Sequence, residues 1–270
     1  MPELDDFLTQ LRAAPAVLVT VARTEGSTPR EQGAWMAVFA ERIVGTVGGG
    51  QLEHQAIVHA RALLAAGAAG GEPRRYPLGP SLGQCCGGVM WLRFEVVSAS
   101  DSGALGDRLA GVVRPLALFG GGHVGSAVVR LAAALPFSLT WIDSRDEVFP
   151  PDVPANVRCE HSDPVQGAVA GLAPGSQVLI MSFSHAEDLD IVAACLARQR
   201  ARADLGFIGL IGSRTKWAVF RRRLAERGYT DAELDRVTCP IGVPGIRGKQ
   251  PAVVAVAVVA QLLQLTSAQP

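Results

Sequence analysis

RPLALFGGGHVGSAVVRLAAALPFSLTWID, residues Arg114 to Asp143, is the stretch from which the fold is read. Leu116 to Phe119 is a short apolar run opened by Pro115, and proline is tolerated at the first residue of a strand because no ladder hydrogen bond there needs its missing N–H. Gly120, Gly122 and Gly125 follow with the spacing G-x-G-x-x-G. Val124, Val128, Leu131 and Leu135 then recur at steps of four, three and four, which is one face of a helix, and Pro136 ends it. Phe137 to Ile142 reads as a second strand with Asp143 at its carboxyl end. This is the strand, glycine turn, helix, strand and acid of a dinucleotide-binding unit. Gly120 permits a tight turn, Gly122 lets backbone approach a phosphate, and Gly125 lets helix pack closely on strand. The helix N-terminus offers free N–H groups and partial positive charge to an anion, and Asp143 is placed to accept from a ribose diol. The same glycines also serve packing alone, so at this point the stretch fixes a Rossmann-type domain and leaves its ligand open.

Working outward, the 270 residues suffice for two domains. We expect an α/β protein: a smaller N-terminal α+β domain over residues 1–110, followed by a Rossmann-type parallel-sheet domain over residues 111–270. Net charge is +0, and no polybasic run points to nucleic acid or an anionic membrane. The start, MPELDDFLTQL, is acidic and lacks the layout of a signal peptide. The most apolar stretch, Ala252 to Leu265, is interrupted by Gln261 and Gln264 and is too short to span a bilayer. It reads as a buried helix or a subunit contact, and its segment Val253 to Leu263, together with the whole chain's mean hydropathy of +0.25, motivates the expectation of a homodimer. The five cysteines include no C-x-x-C pair, which argues against a disulfide framework or structural zinc and for a reducing cytoplasm.

The N-terminal half carries its own chemistry. Ala16 to Arg23 is a β-branched-rich strand, and Gly33 to Phe39 with Ile43 to Val47 reads as a hairpin turning at Glu41-Arg42. Between them, Thr24 to Arg30 is a loop with hydroxyls, a carboxylate and a guanidinium, either a surface turn or a grip for an anion or polar ring. Gly48-Gly49-Gly50 precedes a helical pattern of Leu52, Ala56, Ala60 and Leu63, which is either a flexible turn or a second anion site. Further on, Gln84-Cys85-Cys86-Gly87-Gly88 leads into a strand from Val89 to Val97. Adjacent strand cysteines point to opposite faces, so one is placed to pack and the other to be presented by the glycine loop. A thiolate there has two jobs open to it, ligating a soft metal or carrying sulfur as a persulfide.

In the second half, Pro150, Pro151 and Pro154 mark a loop. Ser182-Phe183-Ser184-His185 lies at the end of a buried strand, Gln177 to Met181, where α/β sheets bind ligands. His185 is either a ligand donor or acid there, or a cap for a helix beginning near Asp188. Gly212-Ser213-Arg214 follows the next strand, Leu205 to Ile211. Lys216 to Arg227 reads as a helix ended by Gly228, and Cys239 to Gly245 as a rigid loop.

Several of these motifs together resemble the XdhC/CoxI family: Gly26-Ser27-Thr28-Pro29-Arg30, Gly45 to Glu53, Leu78-Gly79-Pro80 with Gly83 to Gly88, Phe119 to Gly125, Ile208 to Ser213 with Lys216, and Cys239-Pro240-Ile241-Gly242. The resemblance covers nearly the whole chain. It implies a cytoplasmic accessory protein, not an enzyme, that binds molybdenum cofactor (molybdopterin). It further implies that the cofactor is held while it acquires sulfur from a cysteine desulfurase and is then delivered to apo xanthine dehydrogenase. The cofactor-binding residues it implies are Ser27, Arg30, Gly49, Gly50, Gln84, Cys85, Cys86, Gly87, Gly120, Gly122, His123, Gly125, Asp143, His185, Ser213 and Lys216, with Cys85 the expected metal ligand. Relatives often carry Thr-His-Ser-His-Ala where this chain has Ser182 to Ala186, so of that pair only His185 carries over. The competing expectation is an NAD(P)-dependent oxidoreductase. Because the sequence offers no convincing hydride-transfer set beyond His185 and Lys216, NAD and NADP are expected to bind weakly or not at all.

Overall fold

The structure is a computed structural model that describes residues 2–68, 70–79 and 87–267. The chain divides into two compact units, Pro2–Gly111 and Val112 onward.

In the first unit, helix α1 (Pro2–Leu11) precedes strand β1 (Ala16–Glu25), the hairpin β2 (Trp35–Val38) and β3 (Ile43–Gly45), and helix α2 (Gly50–Ala66). Strands β4 (Arg74–Pro77) and β5 (Val89–Val97) and helix α3 (Ser102–Leu109) complete it. The sheet order is β3-β2-β1-β5-β4, with antiparallel neighbours throughout. The first part of β1, Ala16 to Ala22, is apolar apart from Thr20 because both faces of the sheet are covered there. Val17, Val19 and Val21 pack with Leu52, Ala56 and Ala60 of α2. Ala16 and Leu18 pack on the other side with Phe7 and Leu11 of α1 and Leu105 and Leu109 of α3. The register between β1 and β5 shifts between Val21 and Arg23, the irregularity of a bulge.

The second unit is a six-stranded parallel sheet. Its elements are β6 (Arg114–Phe119), α4 (His123–Ala132), β7 (Phe137–Asp143), β8 (Val157–His161), a 3-10 segment (Val165–Gly171) and β9 (Gln177–Ile180). Then come α5 (His185–Arg202), β10 (Phe207–Leu210), α6 (Arg214–Glu226), α7 (Asp231–Leu234), β11 (Val237–Thr238) and α8 (Pro251–Ser267). The order β8-β7-β6-β9-β10-β11 is that of a Rossmann domain, with its topological switch between β6 and β9. Leu116 and Leu118 face α4 and α8, whereas Ala117 and Phe119 face α5, α6 and the 3-10 segment. Burial on both faces explains the unbroken apolar run that opened the sequence reading.

Two strands escape the sequence pattern. β8 reads Val-Arg-Cys-Glu-His and lies at the sheet edge, and β11 is two residues long; neither has the apolar run of a central strand. The apolar surface of α8 is largely consumed within the unit: Ala255, Val258, Val259 and Leu262 are buried with α4 and the sheet. That packing accounts for the hydrophobicity behind the dimer expectation. No described helix is long and apolar enough to cross a membrane.

Candidate functional site

In the first unit three glycine-bearing loops meet at one edge of the sheet. A side chain at Gly88 would lie 2.4 Å from the Ser27 carbonyl oxygen, so Gly26-Ser27 lies flush on Gly87-Gly88. A side chain at Gly48 would lie 2.5 Å from Pro29 Cγ, which seats the Pro29-Arg30 turn on the second loop. Arg30 Nη1 donates to the Thr46 carbonyl at 3.3 Å. Glu53, one turn into α2, folds back so that its Oε2 accepts from Val47 N at 3.0 Å, Gly49 N at 3.2 Å and the Thr46 hydroxyl. The N–H of Gly49 is therefore engaged by Glu53, an acid the sequence reading passed over. Gly50, at φ +63°, opens α2. Leu78 N donates to Gly88 O at 2.8 Å, which ties these two residues together at the same edge. Gln84, Cys85 and Cys86 lie outside the described residues, while Gly87 is exposed.

In the second unit the carboxyl ends of β6, β7 and β9 build another cluster. Gly120, at φ +125°, has the Met181 carbonyl oxygen where a side chain would begin, at 2.0 Å, and Gly125 has the Gly120 carbonyl oxygen at 2.1 Å. Packing alone thus requires glycine at both positions. The fully buried Trp141 fixes the turn further, its indole N–H donating to Gly120 O at 2.9 Å. Gly122 differs: a side chain there would meet nothing within 4 Å. It is the N-cap of α4 and opens on a cleft of about 790 Å³ lined by His123, Ser126, Arg130 and Arg145 together with the start of α8.

Asp143 is buried, and its carboxylate is fully engaged. Oδ2 accepts from Gly121 N at 2.6 Å and Arg145 Nη2 at 2.9 Å, and Oδ1 accepts from Arg145 N and Nε, each at 2.9 Å. These four bonds fill the roughly four acceptor positions of a carboxylate. Burial pushes its pKa up, but the Arg145 guanidinium and the two backbone N–H groups outweigh it and hold the group below the ordinary aspartate value. The sequence reading gave Asp143 to a ribose; in the fold it has Arg145 instead. The guanidinium also stacks over the exposed ring of Phe183, 4.6 Å from its centroid.

Of the remaining residues at this edge, His185 and Ser213 are exposed at helix starts, while Lys216 and Asp188 form a largely buried pair. Ser184, not His185, caps α5, its hydroxyl accepting from Glu187 N at 3.2 Å. His185 is the first residue of the helix and sets its ring edge-on to Phe220. Ser213 caps α6 by accepting from Lys216 N at 3.1 Å. The Lys216 ammonium donates to Asp188 Oδ2 at 2.6 Å and to the Ile211 carbonyl at 2.9 Å. The other oxygen of Asp188 accepts from Ser182 N at 2.9 Å and Ser182 Oγ at 2.7 Å. Asp188 gives no local signal in sequence, since an acid in the first turn of a helix ordinarily serves its dipole. Among the described residues no group of three or more His, Cys, Asp or Glu side chains is arranged to hold a metal ion.

Residues 116–262 match the profile of the XdhC Rossmann domain, and residues 10–76 that of the XdhC and CoxI family. The chain belongs to the XdhC and CoxI family. The protein YqeB of Escherichia coli K12 is 25% identical over 264 residues, which is 95% of this chain but 44% of YqeB, so the chain spans less than half of that relative. A crystal structure from Bacillus halodurans, described as a xanthine dehydrogenase, covers 100% of this chain and 97% of its own at 20% identity and a TM-score of 0.81. At that identity the likeness is one of fold. For this family member, both halves contribute a glycine-built loop cluster, and each has a glycine, Gly87 in the first and Gly122 in the second, at which a side chain would meet nothing within 4 Å.

Proposed function

We propose that this protein is a cytoplasmic accessory protein, not an enzyme. In this reading it holds molybdenum cofactor, presents it to a cysteine desulfurase for sulfuration, and delivers it to apo xanthine dehydrogenase. Family membership supports a role in maturing that enzyme. The observation that carries the cofactor reading is the contrast within the Rossmann glycine loop. Its phosphate cradle is open at Gly122, beside a roomy cleft with His123, Ser126 and Arg145, while its ribose acceptor, Asp143, is fully bonded to Arg145 and Gly121. A dinucleotide needs both groups. A phosphorylated pterin needs the cradle and offers no ribose diol to the acid. The cofactor brings a molybdenum centre with exchangeable ligands. A thiolate suits such a centre, and Cys85 is the residue proposed to stand beside it, with Gln84, Cys86 and Gly87 shaping the loop. Gly87 and Gly88 leave this loop free to wrap a ligand closely.

The test replaces Cys85 and Cys86 by alanine, singly and together, checks folding by circular dichroism, and titrates the full chain anaerobically with free cofactor. At least one single variant is expected to lose cofactor binding and the ability to activate apo xanthine dehydrogenase. If both single variants and the double variant bind and activate as the parent does, the cysteine assignment is refuted. If the parent itself binds no cofactor, the cofactor reading falls.

A further inference from the structure

Arg145 occupies Asp143 in a particular way. Its Nε and Nη2 are two parallel N–H donors on one planar, delocalised group, and they meet the two oxygens of one carboxylate at 2.9 Å each. The carbon of that group lies over the exposed ring of Phe183, 4.6 Å from its centroid. The partner is only two residues away in sequence, so holding it there closes a very short loop. The residue remains partly exposed on the cleft side, where Arg145 is one of the cleft walls.

A planar pair of N–H donors stacked on an aromatic ring is also the outline of a heterocycle edge. The 2-amino-4-oxo pyrimidine ring of a pterin carries two parallel N–H donors, on N3 and on the 2-amino nitrogen, and guanine carries the same edge. A ribose diol does not: its hydroxyls are non-planar and unable to stack. We infer that Asp143 and Phe183 form a recognition site for a 2-amino-4-oxo heterocycle, pterin in the setting of this fold, and that Arg145 is an internal surrogate displaced when the ring enters. This rests on the cofactor reading above and deepens it.

The neighbourhood suits such an exchange. Asp143 keeps its bond from Gly121 N when Arg145 leaves, so the carboxylate stays oriented. Gly121 adjoins the Gly122 cradle, which places the phosphate of a ring-bearing ligand next to the acid that reads the ring. The displaced guanidinium has two destinations in view. One is the cleft, where that phosphate would lie. The other is Glu187, whose charge already acts on Arg145 and whose Oε1 is anchored by the Ser144 hydroxyl at 2.6 Å. Sequence reading missed Phe183 because an exposed aromatic in a Ser-Phe-Ser turn has no periodic context.

The experiment measures binding of three probes to the full chain by fluorescence quenching and calorimetry. They are unsubstituted pterin, lumazine, in which the 2-amino group is replaced by oxygen, and GMP. The parent is expected to bind pterin at least about tenfold more tightly than lumazine, because a buried carboxylate facing a carbonyl loses a charge-assisted bond. Phe183→Ala is expected to weaken pterin roughly tenfold through loss of stacking. Arg145→Ala is expected to tighten it by about tenfold or more, since the competing charge-assisted pair is removed. A merely structural Arg145 would move affinity the other way. Asp143→Asn is expected to abolish the preference for pterin over lumazine. If that variant does not fold, Phe183→Ala and Arg145→Ala still decide the matter.

Equal binding of pterin and lumazine, or an Arg145→Ala variant no tighter than the parent, overturns the inference. Anaerobic titration with molybdenum cofactor separates the two levels. A parent, Arg145→Ala and Phe183→Ala that all bind cofactor alike leave the cofactor reading standing and refute this one. A parent that binds GMP with the expected variant pattern, but neither pterin nor cofactor, keeps the edge recognition, assigns it to a guanine nucleotide, and refutes the cofactor reading.

Discussion

Replacing Lys216 by methionine separates a structural lysine from a ligand-binding one. The ammonium is buried to 12% exposure against an Asp188 side chain at 3%. Methionine preserves the apolar stem, which passes over Gly212 so closely that a side chain there would lie 2.7 Å from Lys216 Cδ. What is lost is the charge and two bonds, to Asp188 Oδ2 at 2.6 Å and to Ile211 O at 2.9 Å. Breaking a buried pair by removing one partner typically costs about 3–5 kcal/mol, because the other charge is left uncompensated. Against a whole-domain stability of roughly 5–15 kcal/mol, the Rossmann unit should lose about a fifth or more of its stability. The double variant Lys216→Met/Asp188→Asn removes both charges while leaving an oxygen for Ser182, and should recover a coupling energy of about 1–3 kcal/mol. Urea unfolding followed by hydrogen exchange in β9 and β10 reads the unit directly. A loss below about 1 kcal/mol for Lys216→Met, or single losses that simply add in the double variant, would refute the ion-pair account. A variant of unchanged stability that has lost cofactor affinity would return Lys216 to the binding site.

Three further outcomes follow from the geometry. NAD and NADP should bind the parent with dissociation constants well above micromolar, since two hydroxyls that gain no stacking on Phe183 must displace charge-assisted bonds worth about 1.5–3 kcal/mol each; a micromolar value by calorimetry, competitive with pterin, refutes this. Cys195, buried beneath α5 with its thiol pushed up to about 12 by burial, should resist iodoacetamide at pH 8 in folded protein and react only in urea, as read by peptide mass spectrometry. Glu233 is held down to about 2, first by the Arg200 guanidinium and then by the N–H and hydroxyl of Thr230. Its contribution is therefore present above the ordinary glutamate range and lost as pH falls through about 2. An NMR titration of its side-chain carbon should have its midpoint there, and a midpoint near the ordinary glutamate value of 4.5 would show the capping box and ion pair to be absent.

The sequence by itself determined the parts of this protein that are local. The Arg114–Asp143 stretch carried the Rossmann unit because strand, glycine turn, helix and acid are each written in adjacent residues with their own period. β1, α2 and the β2–β3 hairpin were legible for the same reason. Gly120 and Gly125 were legible as glycines, since the close approaches they permit are intrinsic to the motif. What only tertiary structure decided are the partnerships. β8 and β11 became strands through their neighbours, β7 and β10, and not through any apolar pattern of their own. Lys216 found Asp188 across 28 positions, and Glu53 reached back over the glycine loop it caps. Asp143, read from sequence as a free acceptor, is filled by a residue two positions away. Sequence spacing alone cannot say whether a neighbouring arginine turns toward an acid or toward solvent. That choice rests on burial, which makes an unpaired carboxylate costly at this depth, and on Phe183, which the fold brings from the end of β9 to lie beneath the guanidinium.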